Sequence, residues 1–457
     1  MKYYLAVLVL ALGLAGCSSD DGLLSDPAPV SEGEAIVLDV KEVASPVTRA
    51  ADQKKGSMDF TKLTTTGFGV YGYKGAYNSG SSQPTLFSSS ATNTKVSFIP
   101  DGTPPTTTLV HPGNWTYATN ANDWKLWEKN GNNEEKYTFF AYAPYMASDG
   151  TAPGITSIKA SSNMDAGDPT IGYTVATDPT NSVDLLWGIR SDNGLPWKDI
   201  QRGQTAGAVL FTFYHALCAI GYHAQVIVDK DNNLSDTEDA SGIAAIGTDC
   251  KVTIKSITLT PAGVPAKVEP ETPAILAAPF HQSATLNLNN TVAHTPSWSS
   301  QTGEISSLVL SGSQIDSKIL DPAPADNDAT NAFLNDDTNH PGIVQTANSQ
   351  AVIAKDDSGN EQFYMLIPQA AQDYTLGIKY FITYKTGEST FFRSEELTGT
   401  ATINDLELKA GVKYYINLVF GLTTFKLNVQ AKDWDGYPLD ITVVTENGTS
   451  ASQSLAK

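Results

Sequence analysis

Residues 206–228 read AGAVLFTFYHALCAIGYHAQVIV, the longest apolar-rich stretch after the N-terminal apolar run. The β-branched and aromatic content predicts a strand, and alternate residues over 209–217 share one face. Over 220–228 the apolar residues favour the other parity, so we expect one long strand with a bulge or bend near Cys218. A helix over about 213–222 is the competing interpretation, because short apolar runs are ambiguous between the two structures.

The same period of two recurs in the rest of the chain. Residues 424–434 alternate between inward apolar and outward polar side chains, and one face of residues 375–385 carries Leu376, Ile378, Tyr380, Ile382 and Tyr384. The 36 Gly and 24 Pro residues interrupt the chain often, and no long amphipathic helix stands out. We therefore predict an all-β protein built of β-sandwiches.

The domain organisation follows from where this pattern fades. We expect an N-terminal sandwich over residues 50–205, a C-terminal sandwich over 206–446 and a polar tail over 447–457. Residues 262–350 are low in pattern and rich in Pro, Ala, Thr, Asn and Asp. We interpret them as insertion loops over the second domain, with short strands at 284–288 and 306–311.

Charge excludes some function classes. The 457 residues carry 29 Lys and Arg against 49 Asp and Glu, a formal net charge of −20. Nucleic-acid binding needs concentrated basic residues, and so does an electrostatic hold on anionic lipid. We therefore expect no nucleic-acid partner.

The N-terminus reads MKYYLAVLVLALGLAGC, with an apolar run too short to span a bilayer as a helix. It is typical of a secretory signal peptide, residues 1–16. Its last four residues, LAGC, resemble the lipobox of bacterial lipoproteins, which implies cleavage before Cys17 and lipid on the Cys17 thiol and amine. The acidic pair after it, Asp20 and Asp21, resembles a surface-export signal of Bacteroidetes-type bacteria. The alternative is an ordinary signal peptide with a chance cysteine.

One predicted strand follows Cys17 and is separated from the rest of the pattern by a polar stretch. Residues 34–43, EAIVLDVKEV, place Ile36, Leu38 and Val40 on one face and Val37 on the other, which predicts a half-buried strand. A basic loop follows over residues 45–57, and we expect it to be exposed and accessible to proteases.

The two cysteines of the mature chain, Cys218 and Cys250, each lie in or beside a strand-like run. The cell envelope is oxidising enough for a disulfide across neighbouring strands. Two small buried thiols are the alternative interpretation.

No motif indicates an enzyme, a metal site or a cofactor. None of the six histidines has zinc-ligand spacing, and no nucleophile elbow, Walker loop or dinucleotide motif occurs. We expect His215 to be a packed, hydrogen-bonded strand residue. Residues 229–242 resemble a calcium loop at its first positions, but Leu234 replaces the glycine and Ala240 the glutamate that the geometry needs. We interpret this stretch as a solvated acidic loop.

Five segments in order resemble the fimbrillin family of Bacteroidetes-type surface pilins. They are EKYTFFAYAPY (135–145), DLLWG (184–188), VLFTFYHALCAI (209–220), YMLIPQ (364–369) and GVKYYINLVF (411–420). Their order and spacing match from about residue 50 to residue 434, while 262–350 fits less well. The resemblance implies two tandem transthyretin-like β-sandwich domains.

The resemblance also implies an assembly route and a function. A lipoprotein reaches the outer membrane surface, an Arg-specific protease cuts between Arg49 and Ala50, and the strand in residues 17–49 is removed. A strand of another subunit then fills the groove, using main-chain hydrogen bonds and alternate side chains. The expelled side chains would be Ile36, Leu38 and Val40, and the donor side chains Leu439, Ile441 and Val443. The implied function is a fimbrial subunit or fimbria-associated lipoprotein that serves adhesion, in the shaft, at the tip or as an anchor.

Other functions remain open from the sequence. A surface lipoprotein that binds glycans or proteins without polymerising would use exposed aromatic rings, and the candidates are Trp115, Trp124, Trp127 and Trp298. These tryptophans fill sandwich cores in the plainer interpretation. A β-sandwich hydrolase has no supporting motif.

Overall fold

The computed structural model describes residues 34–43, 58–81, 84–87, 93–100, 115–118, 123–147, 154–158, 167–205, 207–226, 250–263, 277–310, 343–344, 351–352, 363–385, 391–393, 396–420, 425–433 and 438–444. Strands dominate these ranges, which confirms the all-β prediction. Within them, no helix has the length and apolar character needed to cross a membrane.

The elements divide into a first half, residues 34–215, and a second half, residues 218–444. The first half contains β1 (Leu38–Val43), the helix α1 (Phe60–Thr66), β2 (Phe68–Lys74), β3 (Thr94–Phe98), β4 (Trp115–Thr116), β5 (Lys129–Asn130), β6 (Asn133–Glu134), β7 (Tyr137–Ala143), β8 (Ile155–Ile158), β9 (Thr170–Thr174), β10 (Leu186–Ile189), β11 (Trp197–Ile200) and β12 (Val209–His215). Short 3₁₀ turns cover Pro179–Asn181 and Arg202–Gln204.

The second half continues the strand numbering. It contains β13 (Cys218–Val226), β14 (Cys250–Gly263), β15 (Phe280–Asn287), β16 (Ser297–Ile305), β17 (Leu308–Val309), β18 (Ile343–Val344), β19 (Ala351–Val352), β20 (Tyr364–Leu366), β21 (Gln369–Lys385), β22 (Phe391–Arg393), β23 (Leu397–Leu408), β24 (Val412–Phe420), β25 (Phe425–Asp433) and β26 (Pro438–Val444).

The sheet of the first half runs in the order β1-β12-β10-β7-β2-β3-β4, and β11 also pairs with β7. Strand β1 joins it in parallel to β12, while the pairs from β12 to β4 are antiparallel. One face packs an aromatic core that includes Phe68, Phe139, Phe211 and Phe213. The opposite face carries Tyr142 and packs into a second core. The sheet is therefore apolar on both sides, as a central layer requires.

Helix α1 covers the first of these cores. Asp59 caps its N-terminus by accepting a 2.7 Å hydrogen bond from the Lys62 amide. Gly67 ends the helix with a φ of +70°, a backbone angle that glycine adopts without strain. The helix buries Leu63 completely.

The stretch 206–228 forms two strands in two different sheets. Strand β12 belongs to the sheet of the first half, and β13 belongs to a sheet of the second half. The chain crosses between them at Ala216 and Leu217, whose backbone groups bond to Leu185 and Gly411. The prediction of one continuous strand is therefore wrong, and the helix alternative is not formed. The change of parity marks this crossing.

The second half packs two sheets. One runs β19-β13-β24-β25-β26, with β20 also on β13. The other runs β17-β14-β21-β22, with β18 on β14 and β23 on β21. The long β21 buries Leu376, Ile378 and Tyr380 on one face, in the alternation expected from the sequence.

The region 262–350 contributes regular structure where we expected mainly loops. Strands β15 and β16 extend β9 and β8 of the first half into a four-stranded sheet, in the order β16-β15-β9-β8. Of the two short strands expected there, 284–288 lies mostly within β15 and 306–311 contains β17, whereas β16 was not expected. Strand β16 is exposed along most of its length and carries mainly polar residues. It therefore lacks the alternation of apolar side chains by which a strand is predicted from sequence.

Candidate functional site: the strand of residues 34–43

Residues 34–43 lie in the first half, where they are bonded to β12 along one edge and, at residues 34–36, to a second segment on the other edge. On one edge β1 pairs with β12, and the Val209 amide donates to the Val37 carbonyl at 2.8 Å. On the other edge the Ile36 amide donates to the Lys125 carbonyl at 2.7 Å, and the Trp127 amide donates to the Glu34 carbonyl at 2.9 Å. Residues 34–43 thus fill a slot that has one backbone wall along β12 and a second wall, at residues 125–127, beside its first three residues.

The apolar side chains of this strand point into the protein. Ile36, Leu38 and Val40 are 0%, 1% and 8% exposed. Val37 is also buried, although the alternation placed it outward. A bulge between Val40 and Glu42 shifts the register and turns Val43 inward as well. The strand is therefore buried on more than one face at its start.

These side chains belong to the aromatic core between the sheet and α1. That core also contains Phe211 and Phe213 of the neighbouring β12, together with Trp115 and Trp127. Burial of a Leu, Ile or Val side chain contributes roughly 1.5–3 kcal/mol of hydrophobic stabilisation. An empty slot would expose this core and two unpaired backbone edges to water, which is a strong drive to bind another strand.

Tyr117 ties the strand to one wall of the slot. Its hydroxyl donates to the Ile36 carbonyl at 2.8 Å and accepts from the Lys125 amide at 3.2 Å. Its ring packs edge-on against Phe87 and Trp124. Burial raises the pKa of the Tyr117 hydroxyl, so it stays a neutral donor.

A buried polar pair fixes the chain at Met58, the first residue of the second described segment. The Nδ1 atom of His215 lies 2.6 Å from the Oδ2 atom of Asp184, and the same oxygen accepts the Met58 amide at 3.0 Å. Both side chains are buried. His215 is thus a packed, hydrogen-bonded strand residue, and Asp184 is a partner that the sequence did not reveal because the two lie 31 residues apart.

The other residues of the implied assembly route lie outside the strand of residues 34–43. Cys17, Arg49 and Ala50 lie outside the described residues. Leu439, Ile441 and Val443 lie in β26, which pairs antiparallel with β25 and forms the end of its sheet.

The structure contains no bond between Cys218 and Cys250. Cys218 is a free, buried thiol whose Sγ atom lies 3.5 Å from the Leu366 carbonyl oxygen. It begins β13 in one sheet, while Cys250 begins β14 in the other, so the two are not on neighbouring strands. Burial raises the pKa of the Cys218 thiol to about 12. For Cys218, the buried-thiol interpretation describes the structure.

The four tryptophans do not gather at a loop tip. Trp115 and Trp127 are buried in the core of the first half. Trp298 is partly buried and donates from Nε1 to the Ala216 carbonyl at 3.0 Å. Trp124 is partly buried against Tyr117. A shared aromatic platform for glycans is therefore not formed by these residues.

No group of three or more potential metal ligands occurs among the residues that the structure describes. The calcium-like stretch 229–242 lies outside them. The described contacts of residues 34–43 are mainly backbone hydrogen bonds and apolar packing.

The structure is similar to the crystal structure of a fimbrial protein from Bacteroides vulgatus. The two chains are 17% identical, the match covers 88% of this chain and 99% of the other, and the TM-score is 0.50. At this identity the likeness concerns the fold, and it confirms the resemblance to fimbrial proteins at that level.

Two further crystal structures, both of candidate cell adhesion proteins, match with lower scores. The one from Bacteroides uniformis is 13% identical over 81% of this chain and 94% of the other, with a TM-score of 0.36. The one from Bacteroides ovatus is 12% identical over 89% and 98%, with a TM-score of 0.35. No family model and no curated protein matches the chain.

Proposed function

We propose that the chain is a fimbrial subunit or fimbria-associated surface lipoprotein that serves cell adhesion and assembles by strand exchange. A protease cuts after Arg49, residues 34–43 leave their slot, and a strand of another subunit enters it. The observation that carries the proposal is the strand of residues 34–43, which pairs with β12, is bonded on both edges at its start and buries its apolar side chains in the aromatic core.

The position of the cut supports this proposal. Val43 ends β1, and Met58 begins the next described segment, so the only link between strand and core in that direction is residues 44–57. A cut between Arg49 and Ala50 leaves the strand held by hydrogen bonds and apolar contacts alone. The core side of the cut stays fixed, because Asp184 holds the Met58 amide.

The replacement strand would come from residues 438–444. Leu439, Ile441 and Val443 alternate as Ile36, Leu38 and Val40 do, so each could offer an apolar side chain to the same core. In the slot the incoming strand would take the direction of β1, parallel to β12. Strand β26 ends its own sheet and has only one described partner strand, which makes it the simplest strand to give up.

Lipid on Cys17 would anchor the unprocessed chain to the outer membrane. The experiment is to express the wild type and Cys17→Ser in a Bacteroides host and to compare membrane and soluble fractions. We expect the wild type in the membrane fraction and Cys17→Ser in the soluble fraction. Equal partition of the two would contradict anchoring through this cysteine.

The main test is activation by an Arg-specific protease of the purified chain that begins at Ser18. We expect a cut after Arg49, followed by ladders on unboiled gels and filaments in electron micrographs. Arg49→Ala should block both, while Lys54→Ala, in the same loop, should leave both intact. Resistance of the wild type at Arg49 would refute protease activation and favour an anchor subunit that keeps its strand.

The donor segment is tested with a matched pair. Ile441→Asp places a charge at one of the proposed donor side chains. Thr442→Asp places the same charge at the next residue, which alternation assigns to the opposite face. We expect cut Ile441→Asp to form no ladders, and cut Thr442→Asp to form them. A wild type that is cut but never polymerises would indicate a tip subunit or a binding lipoprotein.

A further inference from the structure

The hairpin of β15 and β16, residues 280–305, begins and ends in the second half but lies against the first half. We call it the inserted hairpin. Before it, the backbone at Ala278 is bonded to Gln372 of β21. After it, β17 pairs with β14, and the Leu310 amide donates to the Ile257 carbonyl at 2.8 Å. Both ends of the hairpin are thus fixed in the second half.

The leading end is held by a buried glutamine that acts as a backbone partner. The Oε1 atom of Gln372 accepts the Ala278 amide, and its Nε2 atom donates to the Ala278 carbonyl, both at 3.0 Å. Beside this bond, the ring of Phe280 stacks on Tyr374 with centroids 5.7 Å apart and planes 21° apart. Gln372 is 3% exposed, so loss of this side chain leaves buried backbone groups unpaired.

The body of the hairpin is bonded to the first half. Strand β15 pairs antiparallel with β9 from Asn287 opposite Thr170 to Ser283 opposite Thr174. The hydroxyls of Ser283 and Thr174 lie 2.8 Å apart, which adds a side-chain bond to the backbone ladder. The four-stranded sheet therefore consists of two strands from each half.

A carboxylate of the first half, Asp168, binds three side chains near the end of β15, two of them from the inserted hairpin. Asp168 accepts hydrogen bonds from Asn287 at 2.9 Å and from Asn289 at 3.0 Å. It also accepts the hydroxyl of Tyr77 at 2.8 Å. Hydrogen bonds to an ionised group are stronger than neutral ones, so this cluster is a firm attachment point.

Two more contacts hold the hairpin. Its loop is bonded to Gly194 in the first half, and β16 is bonded to Ala216 at the crossing between the sheets. The His294 amide donates to the Gly194 carbonyl at 3.0 Å, and the Asn290 side chain donates to the same oxygen at 3.1 Å. Trp298 bonds to Ala216, where the chain crosses between the two sheets. A Cβ on Gly194 would lie 2.5 Å from the His294 ring, so the close fit requires glycine there.

The buried face of the hairpin joins a core that both halves share. Ala284, Leu286 and Leu288 are 4%, 0% and 2% exposed, and they belong to one cluster with Trp187 of the first half and Leu376 of the second. We propose that the inserted hairpin is a strap that holds the two halves in one fixed arrangement and makes them unfold as one unit. This inference does not depend on strand exchange.

The test uses variants that weaken the strap at each end. Asp168→Ala removes the carboxylate that binds Asn287 and Asn289 to the first half, and Gln372→Ala removes the side chain that binds Ala278 to the second half. The matched controls are Asp192→Ala and Gln301→Ala, which change exposed residues of the same types. Trp298→Phe is a milder variant that keeps an aromatic ring at this position and loses the hydrogen bond to Ala216. It keeps the test decisive if a stronger variant fails to fold.

The distance between the halves is measured by spin labels on the chain that begins at Ser18 and so lacks Cys17, at Lys136→Cys in the first half and Lys409→Cys in the second. The background carries Cys250→Ser, and buried Cys218 stays protonated and unreactive. We expect one narrow distance distribution for the wild type and the controls. The strap variants should show a broader distribution with an added longer component.

Urea unfolding of the same proteins gives the second readout. We expect a single transition for the wild type and the controls, and two separated transitions for the strap variants. Two transitions or a broad distance distribution in the wild type would overturn the proposal. Strap variants that match their controls in both readouts would overturn it as well.

Discussion

The hydroxyl of Tyr117 donates a 2.8 Å hydrogen bond to the carbonyl of Ile36, 81 residues earlier in the chain. The same oxygen accepts the Lys125 amide, so one side chain links the N-terminal strand to the wall beside it. The bond closes the slot on the edge that is not formed by β12. It gives a direct way to weaken the strand without touching its apolar side chains.

Tyr117→Phe keeps the ring in place and removes this link. We expect the free energy of unfolding to fall by about 1 kcal/mol, because one buried donor is lost and the Lys125 amide loses its partner. Amide hydrogen exchange at Ile36 should become faster. Tyr73→Phe, on the other face of the same sheet, should leave exchange at Ile36 unchanged. Equal exchange rates at Ile36 in both variants would show that the Tyr117 hydroxyl does not stabilise the N-terminal strand.

Leu38→Ala should destabilise the uncut chain strongly. Leu38 is 1% exposed in a close-packed core, and truncation of a buried Leu costs about 2–5 kcal/mol. The exposed Lys41 of the same strand gives the control, and Lys41→Ala should change stability by less than about 0.5 kcal/mol. Urea unfolding of both variants measures the difference. A small effect for Leu38→Ala would show that the strand adds little to the folded core.

Asp184→Ala removes the shared acceptor of His215 and the Met58 amide. We expect a loss of about 3–5 kcal/mol in the free energy of unfolding, since a buried imidazole and a buried backbone amide both lose this acceptor. Protease accessibility should also rise around Met58. Asp192→Ala, at an exposed carboxylate, is the control and should be nearly neutral. Similar stability of the two variants in urea would argue against an anchoring role for Asp184.

Stability should fall in alkali. Burial raises the pKa of Tyr137 and of Tyr380 to about 12, and that of Cys218 to about 12. Ordinary values in the unfolded chain are about 10 for Tyr and about 8.5 for Cys. Between these values and 12 the unfolded chain releases protons that the folded chain keeps, so a rise in pH favours unfolding.

The measurement is the urea midpoint at pH 8 and at pH 11, with phenolate absorbance recorded in parallel. We expect a lower midpoint at pH 11, and phenolate absorbance from these tyrosines only when the protein unfolds. Tyr380→Phe should lose less stability between the two pH values than the wild type. A midpoint that stays constant would contradict neutral buried phenols.

Local patterns predicted the strands well where one face is buried. Leu376, Ile378 and Tyr380 alternate because β21 has one apolar side, and a period of two is visible in any such strand. The exposed β16 gave no such signal, since its side chains meet water on both faces. The crossing at Ala216 and Leu217 was visible only as a change of parity, which a bulge explains equally well.

The amino-acid sequence by itself determined the all-β class and the apolar side chains of residues 34–43, because alternation is a local property of a half-buried strand. Only the tertiary structure decided what lies beside each strand. The second wall of the slot, the pair of Asp184 and His215, and the pairing of the inserted hairpin with β9 all join residues far apart in the chain. Such partners depend on how sheets stack and which edges meet, and no short stretch of sequence carries that information.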